Sequence, residues 1–262
     1  MLPFAGDDLP RSLDQFITAL RAGLERHRVI ARDVRATGEW PALEELSVDL
    51  TGAQLSRATP ISKPVTSAEA GLSIRCLTIA ATPLNFESVP LVLDLRANDA
   101  RCGFARDDQQ GASLQILQAK AGTVVLEAKR SDLESCLQKL AAETLAKHGA
   151  EVKSTELEFT SRGPRTLEFH ARVKAKVFVM NAEIVVSGQL SVDDGLNLRA
   201  QQLTADGNGM IASLATSYLR PRFAELEKRV FPLATFSLAE VQLRDVHVSG
   251  GETLRLEARF GV

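Results

Sequence analysis

The residues of this chain that could bind a metal or move a proton are four histidines, three cysteines and a scatter of carboxylates. His27, His148, His170 and His247 are far apart, and no two have the spacing that puts a pair of imidazoles on one helical face. His148 falls at the end of an expected helix, where partial positive charge is favourable. His170 and His247 fall on outward faces of expected strands, where solvation is commoner than catalysis. Cys76, Cys102 and Cys136 form no C-x-x-C pair, so they are expected to be buried, unreactive thiols rather than a zinc site or a redox couple. Asp206-Gly-Asn-Gly209 opens like a calcium loop, but Met210 and Ile211 stand where further oxygen ligands belong. Gly207 and Gly209 lack the third glycine of a dinucleotide fingerprint, and no G-x-S-x-G elbow occurs. The expectation is therefore a protein with no catalytic residue, no metal ligand and no cofactor: not an enzyme.

Composition narrows the field further. A formal net charge of -2 with 24% charged residues gives no electrostatic footprint for nucleic acid. No run is long enough for a transmembrane helix, and Met1 to Asp8 has neither the basic nor the apolar stretch of an export signal. Aromatic residues are 5%, with one Trp40 and one Tyr218, so Leu, Val, Ala and Ile must build the core. Arg172, Lys174 and Lys176 make a basic stripe along one strand face. Anionic head groups could meet it, but a solvated face or a guarded sheet edge is the commoner meaning.

Three helices are expected among many strands in one domain over 1–262. The first covers 12–28, with Leu13, Phe16, Ile17, Leu20 and Leu24 on one face. The second covers 131–148. Ser131 and Glu134 have capping-box spacing, Leu133, Leu137, Leu140 and Leu145 form its stripe with Cys136 and Ala141 beside them, and Gly149 ends it. The third covers 208–230, with Ile211, Leu214, Tyr218, Leu219, Phe223 and Leu226 on a broad face, and Pro221 is expected to kink or break it. Elsewhere period two prevails. Leu46, Val48 and Leu50 alternate, as do Leu72, Ile74 and Cys76, and Val89, Leu91, Leu93 and Leu95. The longest case is Leu167, Phe169, Ala171, Val173, Ala175, Val177 and Val179, a strand that must curve or twist to stay in a compact domain. Asp193-Asp194-Gly195 marks a hairpin, and such short turns make antiparallel pairs. The stretches Thr51 to Ala70 and Arg106 to Gly111 read as loops.

An internal echo suggests a repeated unit of helix and meander. The second helix precedes two strands meeting at Gly163-Pro164, and the third precedes two meeting at Gly250-Gly251. The second strands, Thr166 to Val173 and Thr253 to Phe260, share four identities and two further apolar matches over eight positions. The fold class expected is α+β, with long amphipathic helices packed in a highly curved antiparallel sheet. Small residues such as Ala171 and Ala175 would leave space between helix and sheet, and space lined by Leu, Val and Ala stays dry and accepts an apolar guest. The residues that would line it are Leu133, Leu137, Leu140, Phe169, Ala171, Val173, Ala175, Ile211, Leu214 and Tyr218. The alternative is a structural or interaction scaffold with a filled core, which amphipathic helices more often cover.

The run Lys129-Arg-Ser-Asp-Leu-Glu-Ser-Cys-Leu137 resembles the central helix start of the LmeA-like family of bacterial proteins. The turn Asp193 to Leu198, the strand Leu198 to Thr204, and the closing pair Leu238 to Val248 and Leu254 to Phe260 resemble elements that follow in that family. The resemblance runs from about Leu72 to the C-terminus. That family is similar to tubular lipid-binding proteins, in which a long helix lies in a wrapped sheet. The resemblance implies non-catalytic binding or transport of phospholipid or a fatty acyl chain in the cell envelope. Lipid or another apolar small molecule is then the partner, with transient contact to a membrane surface and none to nucleic acid. The chain departs from the family in its first helix, which has no clear counterpart there.

Overall fold

A computed structural model describes residues 2–4, 10–55, 69–107, 111–146, 149–177, 180–208, 210–233 and 241–262. Among the described residues, strands account for 63%, and three helices complete an α+β fold whose sheets do not close into a barrel. Within what the sequence reads as one domain, contacts gather the chain into two compact units. The first is Met1–Glu127, Ala234–Val246 and Glu257–Val262; the second is Ala128–Leu233 and His247–Leu256.

In the first unit, α1 (Leu13–Arg26) starts where Ser12 adopts extended backbone and its hydroxyl accepts from the Gln15 N–H. Asp14 in its first turn and Arg26 in its last suit the helix dipole. Phe16, Leu20 and Leu24 fall four apart, so they share one face, and all three are fully or almost fully buried. The Phe16 ring lies 5.3 Å from Trp40 and 6.5 Å from Phe104. Arg21 at the helix side donates to the Val34 carbonyl at 3.0 Å, which occupies an acceptor on the sheet's last strand.

That sheet has ten strands, three of which carry residues of the second unit. Its main path is β14 (Leu243–Ser249), β15 (Thr253–Phe260), β8 (Ala121–Lys129), β6 (Val89–Asp107), β5 (Glu69–Phe86), β3 (Ala42–Asp49) and β2 (Asp33–Glu39). Off the path, β1 (Leu2–Phe4) pairs β7 (Gly111–Gln118), β7 also pairs β6, and β4 (Gln54–Leu55) pairs β5. The expectation of a wholly antiparallel sheet is corrected here. β3 runs parallel to β5, with Leu46 beside Leu77, and β4 is also parallel to β5. The chain between β3 and β5 is long enough for the crossover that a parallel pair requires, and no hairpin signal forces the alternative.

A second correction concerns Cys76. Alternation places it with Leu72 and Ile74, yet Arg75 and Cys76 are both exposed and burial resumes at Leu77 and Ile79. Across the pair, Asn98 and Asp99 are likewise exposed between buried Ala97 and Ala100, and Asp99 takes φ 48°. The two strands shift phase together, so the core stays continuous while the cysteine turns out. On β7, Gln115 is wholly buried. Its Nε2 reaches the Ser113 hydroxyl at 3.4 Å, and its amide oxygen has no partner among the described residues.

In the second unit, β9 (Ala150–Gly163), β10 (Thr166–Val177), β11 (Met180–Val192) and β12 (Asn197–Asn208) form an antiparallel meander, with β13 (Phe231–Pro232) beside β12. The hairpins form where the sequence places them. β9 turns into β10 at Gly163-Pro164, and β11 into β12 at Asp193 to Leu196. In the second turn the Asp193 carboxylate accepts from the Asn197 N–H at 2.9 Å, and Leu196 takes φ 57°. α2 (Arg130–Ala146) packs on β9, and α3 (Met210–Lys228) on β12 and β11. α3 runs through Pro221 without interruption. The ends expected at His148 and at Val179, and Gly209 of the rejected calcium loop, lie outside the described residues.

Candidate functional site

The meander of the second unit has two chemically opposite faces, set by the period of two and by its registers. On one face Phe169 lies between Phe159 and Gly188, Ala171 between Leu157 and Val186, Val173 between Thr155 and Ile184, and Ala175 between Val152 and Ala182. Gly188 matters in this array. A Cβ there would collide with Leu203 and crowd the Phe169 ring, so only glycine lets both side chains lie across β11. Ile184, Ala200 and Ala205, buried on the strands under α3, share this face.

The face is closed at its ends and less so in the middle. At one end Leu145 of α2, Ala150 and Ala175 form a buried cluster with Val152 and Val173 against it. At the other, Leu167 is fully buried, and Leu167 and Phe159 close over Gly250, where a Cβ has no room. Between them Leu157, Phe159, Phe169, Ala171, Val173 and Val186 are all only half-buried. On α2, Leu133 and Leu137 are half-buried and Leu140 is 52% exposed, so Leu145 alone of the stripe is buried.

Of the ten positions the sequence nominates, seven can be placed. Leu133, Leu137 and Leu140 are on α2, and Phe169, Ala171, Val173 and Ala175 are on one face of β10. Ala175 sits in the closed end, not the half-open middle. Ile211, Leu214 and Tyr218 belong to α3, and their side chains are outside the described ones. Leu157, Phe159, Val186 and Gly188 share the face without having been nominated. The alternation of β9 and β11 carries that signal, but only the register shows that these strands flank β10.

Each helix fastens to the meander with one carboxylate. Glu134 was expected to close the first turn of α2 with Ser131; its Oε1 instead accepts from the Leu157 N–H of β9 at 2.9 Å. The Thr155 hydroxyl donates to the Glu134 carbonyl at 3.1 Å. β9 is the last strand of its sheet, and such a strand presents backbone donors that no neighbouring strand takes up. The Leu157 N–H is such a donor, and the Glu134 carboxylate takes it up. In the same way Glu227 of α3 accepts from the Leu203 N–H of β12 at 2.8 Å.

The opposite face is polar. Arg172 donates to Glu156 at 3.0 Å and lies 2.9 Å from Glu183, and Lys174 reaches Glu156 at 3.1 Å. These partners, Lys174 first and then Arg172, hold the Glu156 carboxyl below its ordinary value. Arg172 and Lys174 of the basic stripe are thus paired in place. A pocket on this face is lined by Glu156, Glu158, His170, Ala171, Arg172 and Val185, and His170 is exposed to solvent.

Reactive groups elsewhere offer little. Cys102 is buried, and burial pushes its thiol up to about 12, far from a thiolate at neutral pH. Cys76 is exposed and Cys136 half-buried, so the expectation of buried thiols holds for Cys102 alone; none of the three is in a disulfide. Among the described residues no cluster of histidine, cysteine and carboxylate could hold a metal, and no helix is long and apolar enough to cross a membrane. Compared with family models, curated proteins and solved structures, the chain finds no significant match.

Proposed function

We propose that the half-covered apolar face of the second unit binds an apolar ligand, a phospholipid acyl chain or fatty acid, without catalysis. One observation carries this reading: Phe169, Ala171, Val173, Leu157 and Val186 lie in a row between two helices and are left half-buried. Apolar area left in water forgoes about 25 cal/mol per Å² of stabilisation, and contiguous patches of this kind mark interaction sites. An acyl chain laid over the row would recover that area. Its length agrees in scale, since the rise from Phe169 to Val173 is about 13 Å, enough for a stretch of one extended chain.

In this reading α2 and α3 are the long amphipathic walls, the meander curls beneath them, and Ala171 provides the depth. The helix-then-hairpin order at Gly163-Pro164 and at Gly250-Gly251 is then one unit used twice. The resemblance of Lys129 to Leu137 to the LmeA-like family adds phospholipid as the ligand, transient contact with a membrane surface as the route of exchange, and the cell envelope as the setting. The paired Arg172 and Lys174 lend nothing to head-group recognition, so affinity rests on the chain. The scaffold alternative expects a filled core with no ligand, and an exposed apolar patch or open sheet edge instead.

The test is direct. Organic extracts of the purified protein are expected to contain lipid by mass spectrometry. Competition against a fluorescent fatty acid is expected to tighten about fourfold per added methylene, the equivalent of about 0.8 kcal/mol, until the row is full. Clean extracts together with no dependence on chain length would remove the proposal.

A further inference from the structure

We propose that α2 is the moving wall of this site and that the Glu134 carboxylate is the tie that holds it closed. As the ligand's entrance α2 depends on the preceding proposal; as a mobile helix it does not. The two helices are fixed differently. α3 lies across both β12 and β11, whereas α2 packs on β9, the outermost strand. α2 is pinned at its ends. The Arg130 N–H donates to the Glu252 carbonyl at 2.9 Å and the Arg130 guanidinium lies 2.8 Å from the Glu252 carboxylate, while Leu145 sits in the buried cluster.

Between those pins the apolar side chains of α2 anchor it weakly: Leu133 and Leu137 are half-buried and Leu140 is more exposed than covered. What fastens this stretch to β9 is polar, the Glu134 carboxylate on the Leu157 N–H and the Thr155 hydroxyl on the Glu134 carbonyl. Arg130 stands 3.9 Å from the same carboxylate and helps aim it. A helix held at its two ends and by hydrogen bonds between them opens locally at low cost, because little apolar area is exposed when it rolls. Rolling about the pinned ends would uncover Leu157 and Ala171, the middle of the row. Leu157 is thus both the residue whose N–H the tie engages and a lining residue of the site.

The experiment is hydrogen exchange on the full chain, read by peptide, for wild type, Glu134→Ala, Glu134→Gln and a control, Glu143→Gln, at an exposed position of the same helix. Exchange in 133–146 is expected to rise about tenfold in Glu134→Ala and less in Glu134→Gln, which keeps an acceptor. Glu143→Gln is expected to match wild type, and β10 and β11 to keep their protection in all four. The idea is overturned if α2 exchanges unchanged in Glu134→Ala, or if β10 and β11 loosen equally, which would mean general destabilisation. Stopped-flow uptake of a dansyl-labelled fatty acid provides the second arm. Glu134→Ala is expected to take it up several-fold faster with affinity changed less than about threefold. Faster exchange without faster uptake overturns α2 as the entrance. Wild-type protein that takes up none overturns the lipid reading instead, and the moving helix then stands or falls on exchange alone.

Discussion

The two units solve the same problem, a helix over a sheet, with opposite results. In the first, α1 drives Phe16, Leu20 and Leu24 into a core with Leu46, Ile74, Ala97 and Cys102, all at 2% exposure or less. In the second, α2 brings Leu133, Leu137 and Leu140 to its sheet and buries none of them. The cause is visible in composition. α1 keeps its apolar residues on one side and its charges on the other, while α2 mixes Gln138, Lys139 and Thr144 among its leucines and is fastened by Glu134. A helix anchored by packing along its length is fixed; a helix held at its ends, and between them by polar contacts, leaves the apolar surface beneath it half-covered.

This contrast can be broken by substitution. Phe16→Ala is expected to cost about 3–5 kcal/mol, because it empties a fully enclosed site, whereas Leu137→Ala is expected to cost about 1 kcal/mol. Denaturant unfolding of the two variants decides it, and equal losses would mean that the second unit is as closed as the first. Enlarging small residues sharpens the point. Ala97→Leu overfills the first core and is expected to cost about 1–3 kcal/mol. Ala171→Leu is expected to change stability by less than about 0.5 kcal/mol while weakening fatty-acid binding about tenfold.

The smallest effect concerns the turn that holds β11 to β12. The Asn197 N–H, then the Asn197 side chain and Arg199, hold the Asp193 carboxyl below its ordinary value of 3.8. A carboxyl lowered in the folded state contributes stability above its unfolded value, and that contribution is lost as pH falls through the lowered one. Asp193→Asn removes the titration, so its melting temperature is expected to fall less steeply than wild type between about pH 5 and pH 2. Parallel acid limbs would count against the assignment.

Much of this could be read from residue order. Phe16, Leu20 and Leu24 mark α1, the alternation from Leu167 marks β10, and Asp193-Asp194-Gly195 marks a hairpin, because each depends on neighbours within a few positions. The parallel pairing of β3 with β5 was not legible, since it joins strands on either side of a long connection. Nor was the fate of Glu134. Its spacing from Ser131 fits a cap, and only the arrival of β9 alongside supplies the Leu157 N–H that it accepts from instead. The basic stripe was legible as a stripe, but its neutralisation needed Glu156 and Glu183 from the flanking strands.

By itself the sequence determined which residues are apolar, where they repeat and hence which faces must seek cover, because periodicity is a local property of the backbone. Tertiary structure decided which of those faces are covered. Burial of the α1 stripe and half-exposure of the Phe169 to Val173 row depend on which strand a helix lies against, how far it reaches across and what holds it there, and those are contacts between residues far apart in the chain.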